Sequence, residues 1–315
     1  MKKNKLGKSD LIVSEMCFGT LVMSPLQANL SLKEGQNLIE EAIDCDVNFF
    51  DSAQFYKTYD YFANVPTYKK NNIVITSKSY SFEFESMMED IESGLKSIKR
   101  DYFDIFMLHE QDSTLTLKGH KPALEAIIKA KEQGKVRSIG VSTHSVALTK
   151  DLILHPEFDV IHPIFNSEGI GYKDGTIKEQ EDAIKDLYNA NFGVYLMKPL
   201  GGGKLYKSLL PALNYAKNFS FKHSVAVGIK NKDELLIDVA IFNNEYDDSF
   251  NIKLNLKEKK LFYRKELCSF CYNCLSNCPF SALSKGDNEI IIDHSKCNLC
   301  GYCISNCENF ALRIM

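Results

Sequence analysis

The chain has 315 residues, about twice the ~150 residues typical of one domain, and its 44% hydrophobic and 25% charged residues are typical of a globular protein. The formal net charge of −3 gives no electrostatic case for binding nucleic acid or an anionic membrane. No apolar run of about 18 residues is present, and Lys8, Asp10 and Glu15 interrupt any signal-type apolar stretch near the start. We therefore expect a cytoplasmic protein without a membrane segment.

Eight short runs rich in Val, Ile and Phe alternate with amphipathic stretches between residues 15 and 245. The runs show little apolar–polar alternation, which is typical of parallel strands covered on both faces. The predicted strands are 15–20, 47–53, 72–79, 102–110, 136–143, 160–166, 193–199 and 223–229. Amphipathic helices are predicted between them, among them 32–45, 84–99 and 121–134.

Eight strand-then-helix units in about 230 residues predict an α/β fold of the (β/α)₈ TIM-barrel type. A doubly wound open sheet is the alternative, but the chain has no early G-x-G-x-x-G, which favours the barrel. We expect the barrel over residues 1–245, a linker over 246–262 and a small C-terminal unit over 263–315. A solvated final helix turn is the other interpretation of the linker segment.

Eight of the ten cysteines fall in the last 50 residues, in two repeats with the spacing C-x₂-C-x₂-C-x₃-C. The first repeat consists of Cys268, Cys271, Cys274 and Cys278, and the second of Cys297, Cys300, Cys303 and Cys307. This spacing is that of two-cluster bacterial ferredoxins, in which the fourth cysteine of each run binds the other cluster. We therefore predict one [4Fe–4S] cluster on Cys268, Cys271, Cys274 and Cys307, and a second on Cys297, Cys300, Cys303 and Cys278. Structural zinc is the alternative, but it typically uses paired cysteine blocks.

Polar, titratable side chains follow three neighbouring predicted strands. Asp51, Lys78 and His109 come at the ends of strands two, three and four, and Tyr56 lies five residues beyond Asp51. The chemistry of a TIM barrel takes place at this end of its strands. Each residue alone also has a structural explanation. Asp51 would be a helix cap and Lys78 a surface charge. Tyr56 would be a packed aromatic ring and His109 a core histidine. The two isolated cysteines, Cys17 and Cys45, are expected to be buried apolar fillers.

Six stretches in chain order resemble the aldo-keto reductase family: KLGKSDLIVSEMCFGT, VNFFDSAQFY, ITSKS, DYFDIFMLHE, VRSIGVS and MKPLGGGKL. With its tail, the chain resembles the ferredoxin-fused members of that family. The resemblance implies a catalytic tetrad of Asp51, Tyr56, Lys78 and His109 acting on a small carbonyl or alcohol substrate. Asp51 would hold Lys78, Lys78 would favour the phenolate of Tyr56, and His109 would bind the substrate oxygen. Tyr56 would then be the general acid or base.

The resemblance also implies NADP(H) bound across the barrel mouth. The glycine run after strand seven allows close approach to a phosphate, although a flexible turn is the other explanation. Where the family usually has an Asn, a Gln and an aromatic residue around the nicotinamide, this chain has Thr143, His162 and Met197. The expected contacts are Ser142, Thr143, His162, Asn166, Pro199, Leu200, Gly201, Gly202, Gly203, Lys204 and Lys230.

Electron counting raises a separate question, because a nicotinamide passes two electrons as hydride and each [4Fe–4S] cluster passes one. Either the clusters serve the substrate directly, or a flavin or a redox partner protein intervenes, or the ferredoxin-like unit is mainly structural. About 17 linker residues reach roughly 55 Å when extended, so the unit is able to cap the mouth. The alternative function is an iron–sulfur electron-transfer protein whose barrel is a docking or regulatory module.

Overall fold

The structure is a computed structural model, and it describes residues 1–246, 260–297, 299, 302–305, 307, 309 and 311–314. Most of the segment expected as a linker therefore lies outside the described residues, as does Cys300.

An antiparallel hairpin of β1 (Lys3–Lys5) and β2 (Ile12–Ser14) begins the fold. Leu6, Leu11 and Val13 of this hairpin are buried with the side chains inside the barrel. Gly7 has φ +55°, and a Cβ there would lie 2.2 Å from the Gly193 nitrogen, so only glycine permits this close approach. Because Gly193 starts a barrel strand, the hairpin closes the N-terminal end of the barrel.

Eight parallel strands form a closed barrel, which confirms the predicted (β/α)₈ fold. The strands are β3 (Met16–Gly19), β4 (Phe49–Asp51), β5 (Val74–Ser79), β6 (Phe103–Leu108), β7 (Val136–Thr143), β8 (Val160–Pro163), β9 (Gly193–Leu196) and β10 (Ser224–Gly228). Each lies within a predicted run, and β10 pairs with both β9 and β3, which closes the ring.

Helices cover the outside of the barrel. They are α1 (Leu32–Asp44), α2 (Asp60–Ala63), α3 (Thr67–Lys70), α4 (Phe84–Ile98), α5 (Thr114–Gly119), α6 (Lys121–Glu132), α7 (Val146–Asp151), α8 (Ile177–Asn189), α9 (Leu209–Asn218) and α10 (Lys232–Asn243). The predicted helices 32–45, 84–99 and 121–134 correspond to α1, α4 and α6. α1 starts with a capping box in which Ser31 and Glu34 each accept a hydrogen bond from the other's backbone N–H, which satisfies donors that a helix start leaves unpaired. Within the described residues, no helix is both long and apolar enough to cross a lipid bilayer.

The Cys-rich unit contains two small antiparallel sheets and two short helices. In chain order its elements are β11 (Leu261–Tyr263), α11 (Asn273–Ser276), β12 (Leu283–Gly286), β13 (Glu289–Ile292), α12 (Tyr302–Ser305) and β14 (Leu312–Ile314). β11 pairs with β14 and β12 with β13. β11 starts inside the segment expected as a linker.

The Cys-rich unit packs on the C-terminal end of the barrel. Its apolar core includes Leu26 from the loop after β3, and Leu21 and Phe55 of the barrel pack against the same core. The unit therefore covers the barrel mouth, as expected from the length of the linker.

Candidate active site

A pocket lies between the strand ends at the barrel mouth and the Cys-rich unit. Its wall brings together all four residues of the predicted tetrad. The pocket wall also includes Tyr80, Glu110 and Gln27 of the barrel and Leu299, Ile304 and Ile314 of the Cys-rich unit. The predicted constellation is therefore a real spatial cluster in a cavity.

Asp51 and Lys78 form a buried ion pair. Asp51 is the last residue of β4, and Lys78 lies near the end of β5. The parallel register of these strands brings the two side chains to the same edge. The Lys78 Nζ donates to Asp51 Oδ1 at 2.6 Å and to the Ser52 carbonyl oxygen at 2.9 Å. The side chains are only 2% and 7% exposed, so each charge depends on the other for compensation.

Tyr56 lies beside this ion pair, in a 3₁₀ turn that ends at Lys57 in the left-handed conformation. The Lys78 Nζ is 5.3 Å from the centre of the Tyr56 ring, which is 5.7 Å from the His109 ring. Burial raises the pKa of Tyr56 well above its usual value, and the carboxylates of Asp51 and Glu110 act in the same direction. Burial and these carboxylates thus oppose the shift toward the phenolate that the resemblance implies for Lys78, and the pKa of Tyr56 is raised on balance. Tyr56 is a protonated phenol at neutral pH.

His109 is held by stacking. Its ring lies 4.1 Å from the ring of Tyr80, whose hydroxyl donates to Glu110 Oε2 at 2.7 Å. Burial lowers the pKa of His109 well below its usual value, with the charge of Lys78 acting in the same direction, so the imidazole is neutral. Its Nδ1 is buried and has no hydrogen-bond partner among the described residues. A buried polar atom without a partner points to a ligand or water that completes the site.

Tyr195 is a site residue that the sequence analysis missed. Its hydroxyl donates to Asp51 Oδ1 at 2.8 Å, and its ring stacks on His162 at 3.7 Å. His162 Nδ1 lies 2.8 Å from the Tyr195 carbonyl oxygen, and burial lowers the pKa of His162 to about 3. The available signal was a hydroxyl-bearing aromatic residue in an otherwise aliphatic strand that faces the barrel interior. Asp51 thus has a second donor that holds it toward Lys78.

The two isolated cysteines, Cys17 and Cys45, differ in how deeply they are buried. Cys17 is fully buried inside the barrel, as predicted. Cys45 is only half-buried at the C-terminal end of α1, so the prediction of a buried filler is wrong there.

Four thiols surround a cavity in the Cys-rich unit. Cys268, Cys271, Cys274 and Cys307, the quartet predicted for the first cluster, all line it. Burial raises the pKa of Cys274 to about 11, and its three partner thiols act in the same direction. Backbone N–H groups also donate to the sulfurs of Cys268 and Cys307, as they do at iron–sulfur sites. Four thiols around one cavity are the donor set that a [4Fe–4S] cluster uses.

The second predicted quartet is described in three of its four members. Cys297 and Cys303 are buried, and Cys278 is half-buried and accepts a hydrogen bond from the Ala282 N–H at 3.3 Å. Cys300 lies outside the described residues. Cys297 and Cys303 belong to the apolar core of the Cys-rich unit, and Cys278 packs against that core.

Two family models match the chain. One, of the aldo/keto reductase family, covers residues 15–218, and the other, of a 4Fe-4S dicluster domain, covers residues 260–308. The chain belongs to the aldo/keto reductase family. The second match confirms that this member is fused to an iron–sulfur domain.

Curated relatives of this aldo/keto reductase include L-galactose dehydrogenase from Arabidopsis thaliana, 21% identical over 76% of this chain and 80% of that protein. An uncharacterized oxidoreductase from Bacillus subtilis is 23% identical over 49% of the chain and 52% of its own length. A probable voltage-gated potassium channel subunit beta from Oryza sativa is 24% identical over 65% and 66%. The chain thus spans about half to two thirds of these last two proteins.

Solved structures share the barrel fold. A putative aldo-keto reductase from Pseudomonas aeruginosa superimposes with a TM-score of 0.66 at 18% identity, over 77% of this chain and 95% of that one. An aldo-keto reductase from Bacillus halodurans gives 0.64 at 19% identity, over 76% and 90%. At these identities the likeness shows the fold.

The residues expected to bind NADP(H) divide into two groups. Ser142, His162, Pro199, Leu200, Gly202 and Gly203 line the mouth pocket. The glycine run has φ values of +54°, +70° and +105°, a left-handed path that L side chains rarely adopt. Two of the three glycines, Gly202 and Gly203, thus form part of the pocket wall.

The other expected contacts, Thr143, Asn166, Gly201, Lys204 and Lys230, are not among the described residues of the pocket wall. Three of them have local partners. Thr143 accepts a hydrogen bond from the Ser145 N–H, and Asn166 both donates to and accepts from Ile170. The Lys230 Nζ lies 3.6 Å from Glu234. Their contact with a cofactor stays a prediction.

Proposed function

We propose that this chain is an oxidoreductase that interconverts a small carbonyl compound and its alcohol in the mouth pocket. The observation that supports this is the meeting of Tyr56, His109 and the Asp51–Lys78 ion pair in one cavity. Tyr56, Lys78, Asp51 and His109 are the proposed catalytic residues. The family membership supports the reaction class.

The proposed proton donor in the reducing direction is Tyr56. A carbonyl oxygen bound between the Tyr56 hydroxyl and the neutral His109 ring would accept a hydrogen bond from each. As the carbonyl carbon gains two electrons, its oxygen becomes strongly basic and takes the Tyr56 proton. Lys78, held by Asp51, then stabilises the phenolate through its charge. In the oxidising direction the phenolate takes the proton back.

The proposed cofactors are two [4Fe–4S] clusters, held by the two cysteine quartets, and NADP(H) in the mouth pocket. Bound NADP(H) supplies or accepts the hydride, and Tyr56 handles the matching proton. A small redox partner protein would exchange electrons with the clusters. We also propose domain boundaries at 1–245, 246–262 and 263–315.

The test is a Tyr56→Phe substitution in anaerobically purified holoprotein, assayed with a panel of aldehydes and ketones and with NADPH or NADH. We expect turnover to fall at least about 100-fold, because the general acid is lost. Cluster absorbance should not change. Tyr68→Phe is the matched control, since Tyr68 is 70% exposed on α3. Full activity of the Tyr56→Phe variant would refute the assigned proton donor.

A second candidate is an iron–sulfur electron-transfer protein whose barrel is a docking or regulatory module. The observation that favours it is the Cys-rich unit, which covers the barrel mouth. It requires reversible cluster reduction and no NAD(P)H consumption with any carbonyl of the panel. Dinucleotide-dependent turnover would exclude it.

A further inference from the structure

The two cysteine repeats have corresponding backbone donors to sulfur. The Ala282 N–H donates to the Cys278 sulfur at 3.3 Å, and the Ala311 N–H donates to the Cys307 sulfur at 3.2 Å. Each donor lies four residues after the last cysteine of its repeat. These backbone hydrogen bonds therefore do not distinguish one repeat from the other.

One side chain does distinguish the repeats. Tyr263 lies five residues before Cys268, the first cysteine of its repeat, and Ile292 lies five residues before Cys297. Each of these two residues is the last of its strand, β11 for Tyr263 and β13 for Ile292. At corresponding places, the first repeat thus has a hydroxyl group and the second has only hydrocarbon.

The Tyr263 side chain lines the cavity of the first quartet, together with Cys268, Cys271, Cys274 and Cys307. Its hydroxyl oxygen is buried, and among the described residues no donor or acceptor meets it with regular hydrogen-bond geometry. Burial raises the pKa of Tyr263 to about 12, and the neighbouring Cys268 sulfur acts in the same direction. A buried hydroxyl without a partner, beside a sulfur at this cavity, points to an acceptor that completes the site.

The hydroxyl of a tyrosine is a hydrogen-bond donor at neutral pH, because its ordinary pKa is about 10. A cysteine that binds iron does so as a thiolate, and a hydrogen bond to a charged acceptor is about twice as strong as one between neutral groups. Hydrogen bonds to the sulfurs are among the factors that set the reduction potential of an iron–sulfur cluster. A donor raises this potential, because the reduced cluster carries one more negative charge than the oxidised cluster and is stabilised more.

We propose that the Tyr263 hydroxyl donates a hydrogen bond to the Cys268 sulfur of the iron-bound first quartet and raises the reduction potential of that cluster. Tyr263 acts through a cysteine ligand and does not bind iron itself. Ile292 has no side-chain donor, so the effect is confined to the first of the two sites. The role of Tyr263 rests on the first cluster of the proposed function, and it is independent of the substrate and of hydride transfer.

The test compares the midpoint potentials of both clusters in Tyr263→Phe and Tyr263→Ile with those of the wild-type full chain, purified anaerobically. Phenylalanine keeps the ring and removes only the hydroxyl, whereas isoleucine copies the residue of the second repeat. Tyr68→Phe is the matched control, because it removes the hydroxyl of an exposed tyrosine on α3. Iron and sulfide content and far-UV circular dichroism check that each variant is loaded and folded.

We expect the ratio of reduced to oxidised first cluster, at a fixed potential, to fall about tenfold in both Tyr263 variants, because a hydrogen bond to a charged sulfur is lost. For a one-electron couple, this lowers the midpoint potential by about 59 mV. Redox titration followed by electron paramagnetic resonance measures both clusters, and Cys271→Ser identifies the signal of the first quartet by changing one of its ligands. The second cluster should keep its wild-type potential.

Electron–nuclear double resonance gives a readout that is specific to the hydrogen bond. The hydroxyl proton exchanges with solvent, so its coupling to the reduced first cluster should disappear in deuterium oxide. The same coupling should be missing from Tyr263→Phe in ordinary water and present in Tyr68→Phe. A tyrosine that serves only for packing gives no such coupling.

A lower potential of the first cluster alone, together with loss of the exchangeable coupling, supports the role of Tyr263. An unchanged or higher potential, an equal fall for both clusters, or an unchanged coupling in Tyr263→Phe would overturn it. If the wild-type chain holds no cluster on the first quartet, the proposed cofactors and the role of Tyr263 are both wrong. A loaded cluster without a shift refutes the role of Tyr263 alone, whereas an active Tyr56→Phe variant refutes only the proton donor.

Discussion

Removing the cation of the buried ion pair gives the most direct test of the site's energetics. In a Lys78→Met variant, the Asp51 carboxylate stays buried without a counter-charge. Such a change typically costs about 3–5 kcal/mol. The Tyr195 hydroxyl still donates to Asp51 at 2.8 Å, so part of the compensation remains and we expect about 3 kcal/mol. Catalytic turnover should be lost in the same variant.

The assay is urea unfolding of the anaerobic holoprotein, followed by far-UV circular dichroism because the chain has no tryptophan. The double variant Asp51→Asn with Lys78→Met should recover most of the loss. If Lys78→Met lowers the free energy of unfolding by less than about 1 kcal/mol, the buried Asp51 and Lys78 charges do not depend on each other for compensation, and the reasoning is refuted.

Two further outcomes follow from the buried polar side chains. Burial lowers the pKa of His162 to about 3 and that of His223 to about 4, below the unfolded value of about 6.5. Below pH 6.5 the unfolded chain therefore takes up protons that the folded chain does not, and each histidine costs up to about 2 kcal/mol by pH 5. Urea unfolding at pH 7 and pH 5 measures this, and equal stabilities would contradict it. Tyr195→Phe removes a hydrogen bond to a charged group and should cost about 1.5–3 kcal/mol of stability. Because Tyr195 acts through Asp51, we expect kcat to fall with KM little changed, and a purely structural role would leave kcat at the wild-type value.

The barrel could be predicted because its strands are buried on both faces and stand out as apolar runs. The residues at which the strands end could not be predicted, because apolar residues continue into the loops. The predicted strand 160–166, for example, ends at Pro163, and Ile164 makes only an isolated bridge to Met197. The meeting of Asp51, Tyr56, Lys78 and His109 in one pocket could be predicted from motifs in chain order, since these motifs lie at the same end of the barrel.

What could not be predicted depends on contacts between distant residues or on loop conformation. Tyr195 and Asp51 are 144 positions apart, so no local pattern links them. The amide of Asn166 is used within its own loop, and Lys230 lies beside Glu234, which only the folded loops determine. The direction of the Tyr56 pKa shift could not be predicted, because it depends on burial and on the positions of the Asp51 and Glu110 carboxylates in the folded chain.

The hairpin of β1 and β2 restricts where small molecules enter and leave the barrel. With Leu6, Leu11 and Val13 filling its N-terminal end, the barrel opens, as far as its described residues show, at the mouth pocket. A product must leave by the route along which the substrate arrived, beneath the Cys-rich unit. Departure and arrival therefore compete for one passage, which Leu26 and the Cys-rich unit border.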